Sequence, residues 1–186
     1  SCVNLMLDKF SKHLQHLTDK QKELLKYIST YDWYNTKHKE SLKLNAIYYN
    51  LNSPKTEKFI AAFIDGYREF TIHEKNAIKL YFKKFKDQID SGQVFTGMIK
   101  DYSIVATFAN YAINELAHFL IKKYSTDISI IVNTQAKTVS FRRSKDSDVD
   151  VSILAKKICE GGGHAAAAGG KLTEQFASLT KTFAPC

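Results

Sequence analysis

Glu160-Gly-Gly-Gly-His164-Ala-Ala-Ala-Ala-Gly-Gly170 is the least ordinary stretch of the chain and holds five of its eight glycines. Three consecutive residues without Cβ can take positive φ and bring backbone N–H groups close to a ligand, which suits a cradle for phosphate or carboxylate oxygens. His164 follows at the edge of that cradle, where a protonated imidazole donates to an oxyanion from either ring nitrogen. Ala165 to Ala168 keep bulk away, and Gly169-Gly170 ends the run. The same residues allow a plainer use, with Gly161 as a helix C-cap and the alanines packed against a sheet.

The flanks narrow the choice. Val151, Leu154, Ala155 and Ile158 recur at helical spacing behind Asp150, a good N-cap residue, so a short helix should run into Gly161 as its stop. Before it, Ile128–Asn133 and Thr138–Arg143 read as two β-strands of a hairpin joined by Thr134-Gln-Ala-Lys137. Arg142 and Arg143 end the second strand and point to opposite faces, so one of the two should line a cleft.

The ordered set of Asp127, Val139-Ser-Phe-Arg142, Val149-Asp-Val-Ser-Ile-Leu-Ala-Lys156 and Gly161-Gly-Gly-His164-Ala-Ala-Ala-Ala-Gly169 closely resembles the C-terminal DHH-associated (DHHA) domain of the DHH phosphoesterases. That family includes RecJ-type exonucleases, nano-RNases and cyclic-dinucleotide phosphodiesterases. The likeness covers about residues 100 to 172. It implies that Gly161, Gly162, Gly163, His164 and Arg142 grip the substrate across a cleft from a catalytic half. Arg suits that role because its planar fork pairs two oxygens of one phosphate.

Composition agrees with a soluble globular chain: 44% of the 186 residues are hydrophobic and 25% charged, enough for a real core. A net charge of +8 favours polyanionic partners, but the lysines are spread along helices. Cys2, Cys159 and Cys186 lack the paired spacing of a disulfide framework or zinc site, which points to a reducing compartment. With no apolar run near membrane length and no signal-peptide pattern at Ser1–Asp8, the expectation is a cytoplasmic protein without a membrane partner.

The first residues, without an initiator methionine, open directly into an amphipathic pattern at Val3, Leu5, Met6, Leu7, Phe10, Leu14 and Leu17, as if cut in mid-domain. In the DHH family the catalytic half comes first and binds two metal ions through Asp-containing motifs, among them Asp-His-His. This sequence contains no Asp-His-His. Asp32, between Tyr31 and Trp33, either caps a helix or, by resemblance to a Tyr-Asp-x-Trp segment of the nano-RNase branch, stands where a family metal ligand stands. One carboxylate cannot hold two ions, whose site needs several bridging oxygens.

Between Glu40 and Ser91 the pattern is helical, broken at Asn52-Ser-Pro54, with Thr71-x-x-Glu74 as a capping box. Ile78, Tyr81, Phe82, Phe85 and Ile89 form a core stripe, and His13, His16, His38, His73 and His118 read as structural. After Ser91-Gly92, Tyr102–Phe108 opens a strand and 110–123 a helix.

The expected fold is α/β: a helical N-terminal segment at residues 1–98, the remnant of a DHH domain, then a small DHHA-type domain at 99–186 with a mixed sheet. The expected function is the substrate-binding portion of a metal-dependent phosphodiesterase acting on short oligonucleotides or cyclic dinucleotides, inactive alone. By the resemblance, divalent metal, manganese foremost, serves the full-length protein and none is held tightly here. The partners are the nucleotide ligand and the missing N-terminal DHH domain, and a homodimer is allowed. The alternative is a non-catalytic nucleotide- or RNA-binding module, like the related C-terminal domain of alanyl-tRNA synthetases.

Overall fold

The structure, a computed structural model, describes residues 5, 9, 16–32 and 39–185, apart from the side chains of Asp32 and Thr182. It divides into two compact units between Lys83 and Lys84. The first holds α1 (Asp19–Asp32), α2 (Lys39–Asn50), α3 (Lys55–Ala62) and the start of α4 (Ile72–Ser91). Its core is Leu24, Leu44, Ile47 and Phe63, with Phe59, Tyr67, Phe70 and Ile78 packed around them. The capping box forms as expected: the Thr71 amide donates to Glu74 Oε2 at 2.7 Å and the Glu74 amide to Thr71 Oγ1 at 3.2 Å. Arg68 grips the same carboxylate through Nη1 and Nη2, at 2.8 and 2.9 Å, and holds it below the usual carboxylate range. Asp32 closes α1, and the metal-ligand role expected of it falls on a side chain outside the described residues.

The second unit is a sheet covered on both faces. Its strands are β1 (Val94–Ile99), β2 (Tyr102–Phe108), β3 (Ile128–Asn133), β4 (Thr138–Arg143), β5 (Gly162–His164), β6 (Ala167–Lys171) and β7 (Ala184–Pro185), in the order β5-β6-β4-β3-β2-β1-β7. All neighbours are antiparallel except β2 and β3, which are parallel. That one parallel pair needs a crossover, supplied by helix α5 (Ile113–Tyr124), so the sheet is mixed as expected. On one face Val105 and Ile131 bury against Leu116, Ala117 and Leu120 of α5. On the other, Ile104, Ile130, Val139 and Phe141 pack with α6 (Val151–Ile158) and with Phe176 of α7 (Glu174–Leu179).

Three expectations need correction. Strand β1 was not foreseen, because Val94-Phe-Thr-Gly97 follows a glycine turn with no alternation. Helix α5 starts at Ile113 rather than Asn110: Ala112 sits in the left-handed region at φ 46°, which breaks the helix there. The Gly-rich stretch is no loop: β5 and β6 form a hairpin around Ala165-Ala166.

Candidate functional site

Why this hairpin needs its glycines follows from what a Cβ would meet. On Gly161 it would collide with the carbonyl oxygen of Gly169, and on Gly170 with that of Cys159. Gly163 lies at φ +143°, where a side chain is strained. These three are therefore demanded by the close approach of β5, β6 and the end of α6. The C-cap of α6 is Cys159 rather than Gly161, and the left-handed residue that follows it is Glu160, at φ 46°. Gly162 differs from its neighbours. Its φ is ordinary, and the nearest atom to a Cβ there would be Lys156 Cε at 4.0 Å. No internal contact requires a glycine at this position.

The hairpin is docked by its turn. The Ala165 carbonyl accepts from the Val151 amide at 3.0 Å, taking one of the N–H groups that the start of α6 leaves over, and the Ala166 carbonyl accepts from the Arg143 amide at 3.1 Å. Asp150 caps the same helix end, accepting from the Ser152 amide at 2.9 Å, as expected from sequence. β5 is the outermost strand, so its far side carries backbone N–H and C=O groups that the ladder does not use.

Register then assembles the site. His164 pairs with Ala167, Ala167 with Arg142, and Arg142 with Ser129. Directly opposed residues share a face, so His164 and Arg142 flank the small side chain of Ala167. Two strand spacings, roughly 9–10 Å, separate their backbones, a span the long arginine can reach across. Arg142 Nε donates to Asn114 Oδ1 of α5 at 3.0 Å, and its Nη1 to the Phe141 carbonyl at 2.8 Å. Arg143 turns the other way, toward the Val149 carbonyl at 3.4 Å. Arg142 is thus the arginine beside His164, and the structure brings Arg142, Gly162, Gly163 and His164 to one hairpin-edge region, with Gly161 directly before β5.

Two residues at this region carried no functional reading in the sequence. Asn114 and His118 stand one helical turn apart on α5, a spacing visible in the sequence but uninformative until the sheet register is known. His118 is half-buried, and burial first, then the charges of Arg142 and Lys145, push its pKa down to about 4. It is neutral at ordinary pH. Asp127, the first residue of the motif set, is held ionised for a local reason: its carboxylate accepts from the Ser103 hydroxyl at 2.7 Å and amide at 2.8 Å, tying β2 to the start of β3.

The metal that the resemblance implies finds no donor set among the described residues. Among the described residues, no three His, Cys, Asp or Glu side chains gather in a way that could hold an ion. What the arrangement can do is bind an anion, with a cationic fork, an exposed imidazole and the edge of a strand. Among the described residues no helix is long and apolar enough to cross a membrane.

Residues 101–185 match the model of the DHHA1 domain. No curated protein sequence matches the chain. Among solved structures, an uncharacterized protein from Helicobacter pylori is 19% identical with a TM-score of 0.39, and covers 84% of this chain and 49% of its own. A pGpG-specific phosphodiesterase, PggH from Vibrio cholerae, is 20% identical with a TM-score of 0.45, covering 71% and 50%. An exopolyphosphatase-related protein from Bacteroides fragilis is 14% identical with a TM-score of 0.40, covering 68% and 38%. The chain spans half or less of the length of these solved chains. The matched segment runs from the residue before β2 to β7 and includes the hairpin that carries His164, so residues 101–185 of this chain are similar to the DHHA1 domain.

Proposed function

We propose that this chain is the substrate-binding portion of a metal-dependent phosphodiesterase that acts on short oligonucleotides or cyclic dinucleotides. Hydrolysis depends on divalent ions, manganese foremost, held by an N-terminal DHH domain that faces this one, and the chain alone does not turn substrate over. The observation that carries the reading is the row His164–Ala167–Arg142, which sets a phosphate-pairing fork and an imidazole beside the open face of Gly162. A phosphate seated there accepts from Arg142 through charge-assisted hydrogen bonds, and His164 donates to the same or the adjoining phosphate. The alanines of the turn leave room for the ligand's sugar and base.

Binding by this chain is weak and falls with salt, because phosphate contacts dominate. Titration of a 5′-phosphorylated RNA dinucleotide at about 50 and about 200 mM salt tests this, and the affinity should drop several-fold for a contact of one or two charges. Salt-independent binding, or none at millimolar ligand, contradicts the reading. So does manganese-dependent cleavage by the isolated chain that disappears in Asp32→Ala.

A further inference from the structure

We infer that Asn114 is a positioning residue of this anion site: it orients the Arg142 guanidinium and acts through it, without touching the ligand. The inference rests on the binding reading above. An arginine side chain has several rotatable bonds, and fixing it only when the ligand arrives costs affinity. Asn114 Oδ1 accepts from Nε at 3.0 Å while the Phe141 carbonyl accepts from Nη1 at 2.8 Å. Two bonds to one planar group define its plane, one from Asn114 of α5 and the other from Phe141 of its own strand.

The chemistry of the acceptor matters. A carboxylate at the same place would hold Nε as well, but its charge would offset the cation that has to attract phosphate. An amide oxygen holds the group without draining its charge. The backbone behind Asn114 is firm, because Leu116, Ala117 and Leu120 of the same helix are buried against Val105 and Ile131 of the sheet. The left-handed Ala112 begins α5 at Ile113, which makes Asn114 its second residue and brings its side chain to β4. A leucine there would be similar in size and would remove the Oδ1 acceptor together with the amide N–H donors.

The test is a double-mutant cycle in the whole chain. Asn114→Leu and Asn114→Asp are each made with Arg142 present and in an Arg142→Ala background. The readouts are affinity for a 5′-phosphorylated RNA dinucleotide, its salt dependence, melting temperature, and the NMR signal of the Arg142 Nε–H. Asn114→Leu should weaken binding about tenfold, comparable with loss of one charge-assisted hydrogen bond. Its salt slope should fall by close to one charge, as in Arg142→Ala, which a merely structural role would not do. In the Arg142→Ala background the same substitution should change affinity by less than about twofold. Asn114→Asp should keep a protected Nε–H signal yet still bind more weakly, through the added negative charge. Equal losses in both backgrounds, or none beside a weakened Arg142→Ala, would overturn this inference alone. An Arg142→Ala chain that binds like the parent would sink the binding reading and this inference with it.

Discussion

His118 follows Asn114 by one turn of α5, and its imidazole is disfavoured as a cation by burial and by the charges of Arg142 and Lys145. Its folded pKa of about 4 lies below the ordinary histidine value of 6.5, so between those limits the unfolded chain takes up a proton that the native chain refuses. Stability is then complete above about pH 6.5 and is lost as pH falls toward about 4, on the order of 1–2 kcal/mol after allowance for solvent screening. Glu74, Asp127 and Asp150 also have lowered pKa values, but carboxylates contribute their loss mostly below that window. Urea midpoints measured from pH 7 to pH 4.5 should decline in the parent and flatten in His118→Gln. Parallel curves for the two would contradict a native imidazole kept neutral. Nothing in the sequence reveals this state, because it depends on β4 crossing under α5 and bringing Arg142 to a residue 24 positions earlier. A lone histidine on an amphipathic helix reads as structural until that register is known.

At the level of the element, the hairpin of β5 and β6 is where reading and structure part company. Glycine is depleted in strands, so Gly161-Gly-Gly163 read as a loop with a nest of amides. The strand forms because β6 and the end of α6 lie too close for any side chain at Gly161 or Gly170, a non-local fact that no local propensity carries. The elements that were legible are those with local signals: β3 and β4 with their branched residues, α6 behind the Asp150 cap, and the Thr71–Glu74 box on α4. The contrast within the hairpin makes a prediction. Gly161→Ala should destabilise by about 2–4 kcal/mol, since the colliding atom is backbone and cannot swing aside. Gly162→Ala meets only the far end of Lys156 and should stay within about 0.5–1 kcal/mol of the parent, while it weakens dinucleotide binding. Thermal unfolding and titration of the two variants check both halves, and equal melting temperatures would refute the division of labour among these glycines.

For the whole molecule, the alternation of strand and helix signals after Tyr102 made the α/β class and the mixed sheet readable, and the helical character of the first unit followed from its 3.6-residue periodicity. The strand order was not readable: β6 inserts between β5 and β4, and β1 pairs with the two-residue β7, through contacts between segments far apart in sequence. The candidate site was legible as a list, Arg142 and Gly161 to His164, but not as an arrangement. Register supplied the arrangement, brought Asn114 and His118 to the same region, and showed that Gly161 has no room for a side chain. The +8 charge could not have located the site, since lysines are scattered over the helices. The claim that most needs testing is that Arg142 and His164 serve a phosphate rather than the fold. Affinity for a 5′-phosphorylated RNA dinucleotide and melting temperature should be measured together for Arg142→Ala and His164→Ala. Each should lose on the order of 1.5–3 kcal/mol of binding, roughly ten- to hundredfold, with melting nearly unchanged for the exposed His164. Unchanged affinity beside lowered melting temperatures would show that the row is scaffolding, and would contradict the account.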